Sequence, residues 1–194
     1  MDTKNTREKI ISTGLKLFKT RGFSDVTVDE ICRESGITRS AFYYHFQSKE
    51  QVMDKIYEWP QPFGIEVLND LLSSDNNWGK LWRIYEMSVD WVIELGYEVL
   101  STVMIINLQQ RRNTLFPGSE DEIRKISTVI IRKGQEAGQF RNRSEPDKLL
   151  GLIKTVLMGI TYEWCSREGE FDKKEATKQA VATLLDVEEN IYEK

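Results

Sequence analysis

The stretch Thr27-Val28-Asp29-Glu30-Ile31-Cys32-Arg33-Glu34-Ser35-Gly36-Ile37-Thr38-Arg39-Ser40-Ala41-Phe42-Tyr43-Tyr44-His45-Phe46 decides the fold. Thr27 followed three residues later by Glu30 is a capping box and starts a helix at residue 28. Gly36 supplies the positive φ that a tight turn requires, so the helix ends near 34. Thr38 caps a second short helix over 38–45. Helices this short are not stable alone. They must pack on the preceding helix, 4–21, which turns Ile10, Ile11, Gly14, Leu17 and Phe18 to one side. Ile31, Ile37 and Phe42 form the inter-helix core, and Cys32 is small enough to let the helices approach. Two short helices joined by a glycine turn make a helix-turn-helix.

Packing leaves Arg39, Ser40, Tyr43, Tyr44 and His45 able to face outward. These are hydrogen-bonding and aromatic groups, suited to a DNA major groove and its phosphates. Lys49 stands in the first turn of the next helix, where its charge adds to the positive end of the dipole and makes an anion site. Blander readings stay open beside these. Tyr43 and Tyr44 point about 100° apart, so one of them can be a core aromatic. His45 can be a satisfied structural histidine, Lys49 a solvated lysine, and Thr27 a cap and nothing more.

Working outward, nearly every segment has helical period, and only four prolines occur. The expected helices are 4–21, 28–34, 38–45, 48–58, 62–73, 77–95, 97–115, 120–137, 145–167 and 172–190. The fold class is all-α: a three-helix DNA-binding domain over 1–47, then a larger helical domain over 48–194 that holds all five tryptophans. Trp59-Pro60-Gln61-Pro62 should end or kink the fourth helix.

Composition limits the function. The chain has 194 residues, with 27 Lys+Arg, 31 Asp+Glu and one His. A lone histidine at 45 and cysteines at 32 and 165 leave no cluster for a metal, and no cofactor is expected. The polar N-terminus lacks a signal-peptide core, and no apolar run approaches the ~18 residues of a membrane span. A cytoplasmic chain with no membrane partner is expected. The net charge of −4 argues superficially against a nucleic-acid partner. It divides unevenly: residues 1–50 are net +2 and residues 51–194 net −6.

Residues 10–56 resemble the DNA-binding domain of the tetracycline-repressor (TetR) family of bacterial regulators. The resemblance rests on Ile10, Leu17-Phe18, Gly22-Phe23, Val26-Thr27-Val28, Ile31-Cys32, Ser35-Gly36-Ile37-Thr38, Phe42-Tyr43-Tyr44-His45-Phe46 and Lys49-Glu50, in order and in register. It covers about a quarter of the chain closely. It implies that Thr27, Tyr43, His45 and Lys49 bind phosphate, and that Arg39, Ser40 and Tyr44 meet base edges. The chain departs from the family pattern at Ser40-Ala41, where many members have Gly and Thr, and at Cys32, where alanine is usual.

The larger domain has two readings by pattern alone. Helix 77–95 is apolar on more than one face, which makes it central to a packed bundle, or the wall of an aromatic and Met-lined cavity. The resemblance implies a small-molecule effector there, with Trp82, Tyr85, Met87, Trp91, Met104 and Trp164 as the candidate lining. Asp90, Glu94 and Glu98 form the one visible carboxylate cluster, read as a solvated acidic face or as a selector for a cation. Leu149, Leu152, Ile153, Val156, Leu157, Ile160 and Trp164 give helix 145–167 more apolar area than one intramolecular face needs, and Gly151 and Gly159 permit close approach. The last helix adds Leu184 and its neighbours. A buried hairpin is the plain reading. The resemblance implies a four-helix dimer bundle with Leu152, Val156, Ile160 and Leu184 at its interface.

The expected function is therefore a homodimeric transcription regulator, a repressor, bound to a double-stranded, pseudo-palindromic operator and released by a small molecule. It is not expected to be an enzyme. The alternatives are a helical ligand-binding protein or enzyme without DNA-binding activity.

Overall fold

A computed structural model of the chain describes residues 3–57, 75–111 and 120–192. Its elements are α1 (Thr3–Arg21), α2 (Val28–Ser35), α3 (Arg39–His45), α4 (Lys49–Ile56), α5 (Asn77–Leu95), α6 (Tyr97–Gln109), α7 (Glu120–Glu136), α8 (Pro146–Ser166), α9 (Lys173–Leu185) and α10 (Glu189–Tyr192). Among the described residues the one β pairing is an isolated antiparallel bridge, Phe140 to Val187. The chain is all-α, as its periodicity predicts. The expected helix 62–73 and the Trp59–Pro62 break lie outside the described residues.

Most boundaries fall within two residues of expectation, but the helix expected over 97–115 ends at Gln109 and the last one also stops short. The run expected over 172–190 stops at Leu185, where Asp186 takes a left-handed conformation with φ 51°. A short polar side chain tolerates that region. Val187 then bridges to Phe140, and Arg141 N–H donates to Asp186 O at 3.0 Å. Ser48 precedes α4 and Glu145 precedes α8, and neither makes a side-chain cap bond. Asp172 does cap, accepting from Glu175 N–H at 2.9 Å.

Packing divides the chain into two compact units. The first is Met1–Trp59 with Leu95–Pro117; the second is Pro60–Glu94 with Gly118–Lys194. In the first, α4 and α6 both dock on α1. Val52, Met53 and Ile56 of α4 are buried there, as are Val99, Leu100, Val103 and Ile106 of α6. The close approach of α1 and α4 needs Gly14, where an added Cβ would stand 2.9 Å from Val52 Cγ1. Burial of each large apolar group of this kind contributes about 1.5–3 kcal/mol.

The second unit has its own core. Trp78, Leu81 and Ile84 of α5 meet Ile130 and Ile131 of α7, Leu149, Ile153 and Leu157 of α8, and Val181 and Leu185 of α9. Phe140 plugs the α7–α8 turn. Its ring occupies the place of a side chain at Gly134, whose Cβ would fall 2.3 Å from it.

The α8–α9 hairpin buries a lysine. Lys173 opens α9 with almost no exposed surface, donates to Thr161 Oγ1 at 2.6 Å, and holds its Nζ 5.9 Å from the Trp164 ring centre. Thr161 passes its own proton to Leu157 O at 2.7 Å. Burial pushes the Lys173 ammonium down from 10.5 to about 8, with Cys165 opposing. The unfolded chain therefore holds this proton more tightly than the folded one. The stability gained from a neutral Lys173 is complete above the unfolded value and is lost as pH falls through about 8. Unfolding free energy should rise by about 2–3 kcal/mol between pH 8 and 10.5, measured by urea titration against a Lys173→Met variant that lacks this increment. Parallel curves for the two proteins would show that Lys173 titrates normally.

Candidate functional site

The helix-turn-helix is built by two caps and one left-handed residue. Thr27 Oγ1 accepts from Glu30 N–H at 3.3 Å, and Glu30 Oε2 accepts from Thr27 N–H at 2.9 Å, completing the capping box. The Thr27 backbone N–H, then its hydroxyl, with Arg21 beyond at 2.8 Å, hold the Glu30 carboxyl below the usual range. Gly36 has φ 64°, its N–H donates to Arg33 O, and Ile37 N–H donates to Cys32 O at 3.0 Å. This is a Schellman-type close. Thr38 Oγ1 then accepts from Ala41 N–H at 3.2 Å and starts α3.

Packing sorts the α3 side chains. Phe42 is fully buried, as are Ile31 and Phe46 nearby. Thr38, Arg39, Ser40, Tyr43 and Tyr44 are exposed, Tyr44 at 76%. His45 is half-buried, its ring edge-on to Tyr44 with centroids 5.0 Å apart. So neither tyrosine is a core aromatic, and one continuous face of α3 presents hydroxyls, a guanidinium and two phenols.

Two contacts on this surface were not legible in the sequence. Arg39 Nε meets Asp29 Oδ1 at 2.6 Å, both side chains well exposed. Such an exposed pair is worth about 0–1 kcal/mol, so it opens at little cost. Lys49 is the larger surprise. Its Nζ donates to Phe23 O at 2.7 Å, to Val26 O at 2.8 Å and to Ser24 O at 3.3 Å, and lies 4.4 Å from the Phe23 ring centre. Three donors meet three carbonyls, and the ammonium is committed to the α1–α2 loop. Its proposed phosphate contact must compete with that clamp. A lysine reaching backbone carbonyls some 25 residues away carries no local sequence signal.

In the second unit the expected effector set separates. Trp82, Tyr85, Met87 and Trp91 lie along α5, all half-buried. Trp164 belongs to the α8–α9 hairpin and covers Lys173. Met104, on α6, is part of the first unit. The acidic trio separates as well. Asp90 and Glu86 share Lys174 at 3.0 Å each, which accounts for Asp90 structurally, while Glu98 sits in the first unit. Among the described residues no cluster of His, Cys, Asp and Glu is placed to hold a metal ion.

The expected dimer surface also divides. Leu149, Ile153, Leu157 and Trp164 are core. Leu152 is 45% exposed and Tyr162 67% exposed, while Val156, Ile160 and Leu184 are half-buried. Gly151 and Gly159 open onto free space, with nothing within 4 Å of an added Cβ. Leu152, Thr155, Gly159 and Tyr162 therefore form an outward stripe at helical spacing. No helix among the described residues is long and apolar enough to cross a membrane.

Comparison with known proteins is consistent with this geometry. The family profile described as bacterial regulatory proteins, tetR family, matches residues 10–56. The transcriptional regulator AcrR of Shigella flexneri is 35% identical, over 96% of this chain and 90% of its own length. The regulator SrpR of Pseudomonas putida is 27% identical over 80% of this chain, which spans 61% of SrpR. Among solved structures, a complex of SmeT with triclosan superposes with TM-score 0.59 at 20% identity, over 96% of this chain and 94% of that one.

The Lys49 clamp gives a direct test. Lys49→Met should cost the first unit about 1–3 kcal/mol in urea unfolding, because three carbonyls, two of them part-buried, lose their donor. Any salt dependence of DNA binding should keep its slope. A slope reduced by about one would return Lys49 to the phosphate backbone.

Proposed function

Because this chain belongs to the TetR family of bacterial regulatory proteins, we propose that it is a cytoplasmic, homodimeric transcription repressor released from its operator by a small-molecule effector. The observation that carries this reading is the exposed α3 face. Arg39, Ser40 and Tyr44 are its base-reading groups, and Thr27, Thr38, Tyr43 and His45 its phosphate-positioning groups. Lys49 serves this face chiefly by holding the loop that carries Thr27. The acidic excess of residues 51–194 limits indiscriminate polyanion binding without touching the helix-turn-helix.

The outward stripe of α8, with Leu184, supplies the dimer face. A homodimer reads successive major grooves when its two α3 helices stand about 34–36 Å apart, which calls for a pseudo-palindromic operator. The half-buried aromatic side of α5 supplies the effector site, a reading supported by the triclosan complex of SmeT. An effector shifts the equilibrium only by its differential affinity for the DNA-competent and incompetent states.

Selection from a random duplex pool tests the whole reading. The enriched sequences should be pseudo-palindromic, and no enrichment at low salt would end it. Arg39→Ala should change the preferred bases at one position of each half-site, by about 1–3 kcal/mol. Affinity should fall about 10³–10⁵-fold from 50 to 200 mM salt for 6–10 phosphate contacts. Leu152→Glu should give a folded monomer in sedimentation equilibrium with unchanged helicity. A Leu152→Glu dimer would place the interface elsewhere.

A further inference from the structure

Among the described residues five helical Ser and Thr side chains are buried, and four of them behave alike. Ser35, Ser88, Thr161 and Thr177 each donate to the carbonyl four residues back, Ile31, Ile84, Leu157 and Lys173. That is the ordinary way for a helix to satisfy a buried hydroxyl. Ser127 of α7 does otherwise. It has no exposed surface, and its Oγ has no hydrogen-bond partner among the described residues. Its half-buried neighbour Thr128 does back-bond, to Arg124 O at 2.8 Å, so the local backbone does not forbid the bond.

The group Ser127 faces is Tyr85 of α5. The two hydroxyls interact, yet the pair falls short of a hydrogen bond of ordinary geometry, and Ser127 Oγ stays unsatisfied. Tyr85 keeps part of its surface accessible while sitting deep in protein. Desolvation pushes its phenol far above the usual tyrosine range, opposed only by Ser127, and no charged group contributes. Trp82, one turn before Tyr85, and Ile126, beside Ser127, pack against the same core from the two helices.

We propose that the Tyr85 and Ser127 hydroxyls are the polar anchor of the effector site, and that the effector is an uncharged molecule with an aromatic or apolar body and one hydrogen-bonding group. The proposal rests on the effector-binding reading above and narrows it. An unsatisfied buried hydroxyl costs stability, and a ligand atom placed between the Ser127 and Tyr85 hydroxyls removes that cost for Ser127 on binding. Each hydroxyl can donate or accept, so a phenol, alcohol, amine N–H or carbonyl fits. An ionised group does not, because the Tyr85 and Ser127 hydroxyls offer it only neutral dipoles, and a buried charge is far more costly than a neutral dipole.

The test uses two fluorescent probes with the same anilinonaphthalene body. N-phenyl-1-naphthylamine is neutral with one N–H, and 8-anilino-1-naphthalenesulfonate adds a sulfonate. The full chain should bind the neutral probe saturably and the sulfonate at least tenfold more weakly. Ser127→Ala and Tyr85→Phe should each weaken the neutral probe about three- to tenfold, as expected for one lost hydrogen bond. Without probe, Ser127→Ala should raise Tm, whereas removal of a merely structural hydroxyl would lower it. Wild-type affinity in either variant, a lowered Tm for Ser127→Ala, or equal binding of the sulfonate overturns the anchor and leaves the effector reading standing. No saturable binding of either probe overturns both.

Discussion

The left-handed backbone at Gly36 is the constraint on which the recognition surface depends. With φ 64°, it turns the chain sharply enough for α2 to end and Thr38 to cap α3 two residues later. A side chain there would cost about 1–2 kcal/mol in backbone strain alone. From that turn follow the burial of Ile31 and Phe42 and the exposure of Tyr43 and Tyr44. The capping box at Thr27 and the Lys49 clamp act on the same problem from the other end. They hold the 23–26 loop so that α2 enters at one angle. The surface is thus pre-organised by backbone geometry and by partners that are mostly carbonyls, leaving its own polar side chains for other work.

The second unit shows how buried polar groups are accommodated. Lys173 is tolerated because Thr161 accepts from it, Trp164 faces it, and loss of its proton is within reach of mildly alkaline pH. Lys174, one residue on, stays charged between Glu86 and Asp90, whose hydrogen bonds raise it. Adjacent lysines at one helix start therefore have opposite electrostatic fates, set by which side of α9 they occupy. Ser127 is the exception to this local accounting, and an unsatisfied group in an otherwise satisfied core is where function is best sought.

Much of the molecule was legible because its signals are short-ranged. Capping boxes, glycine turns and 3.6-residue periodicity act within a few residues, so helix order and the turn at Gly36 could be read directly. The reading failed where the partner was distant. The Arg39–Asp29 pair exists only after the turn has folded α3 back past the start of α2. Lys49 has the composition and position of an anion ligand, and only the packing of α4 on α1 delivers it to three carbonyls. Trp164 reads equally well as cavity wall, dimer surface or core, and it is core. Likewise, nothing in the 97–109 segment announces that it docks on α1.

By itself, then, the sequence determined the helices, the turn between α2 and α3, and the residue types on the outward face of α3. Each of these is a consequence of local sterics and local hydrogen bonding. Only the tertiary structure decided which polar atoms are satisfied: that Lys49 is spent on a loop, that Asp90 is paired, that Ser127 is not. Satisfaction depends on distances between residues far apart in the chain, and those distances exist only once the apolar faces have packed.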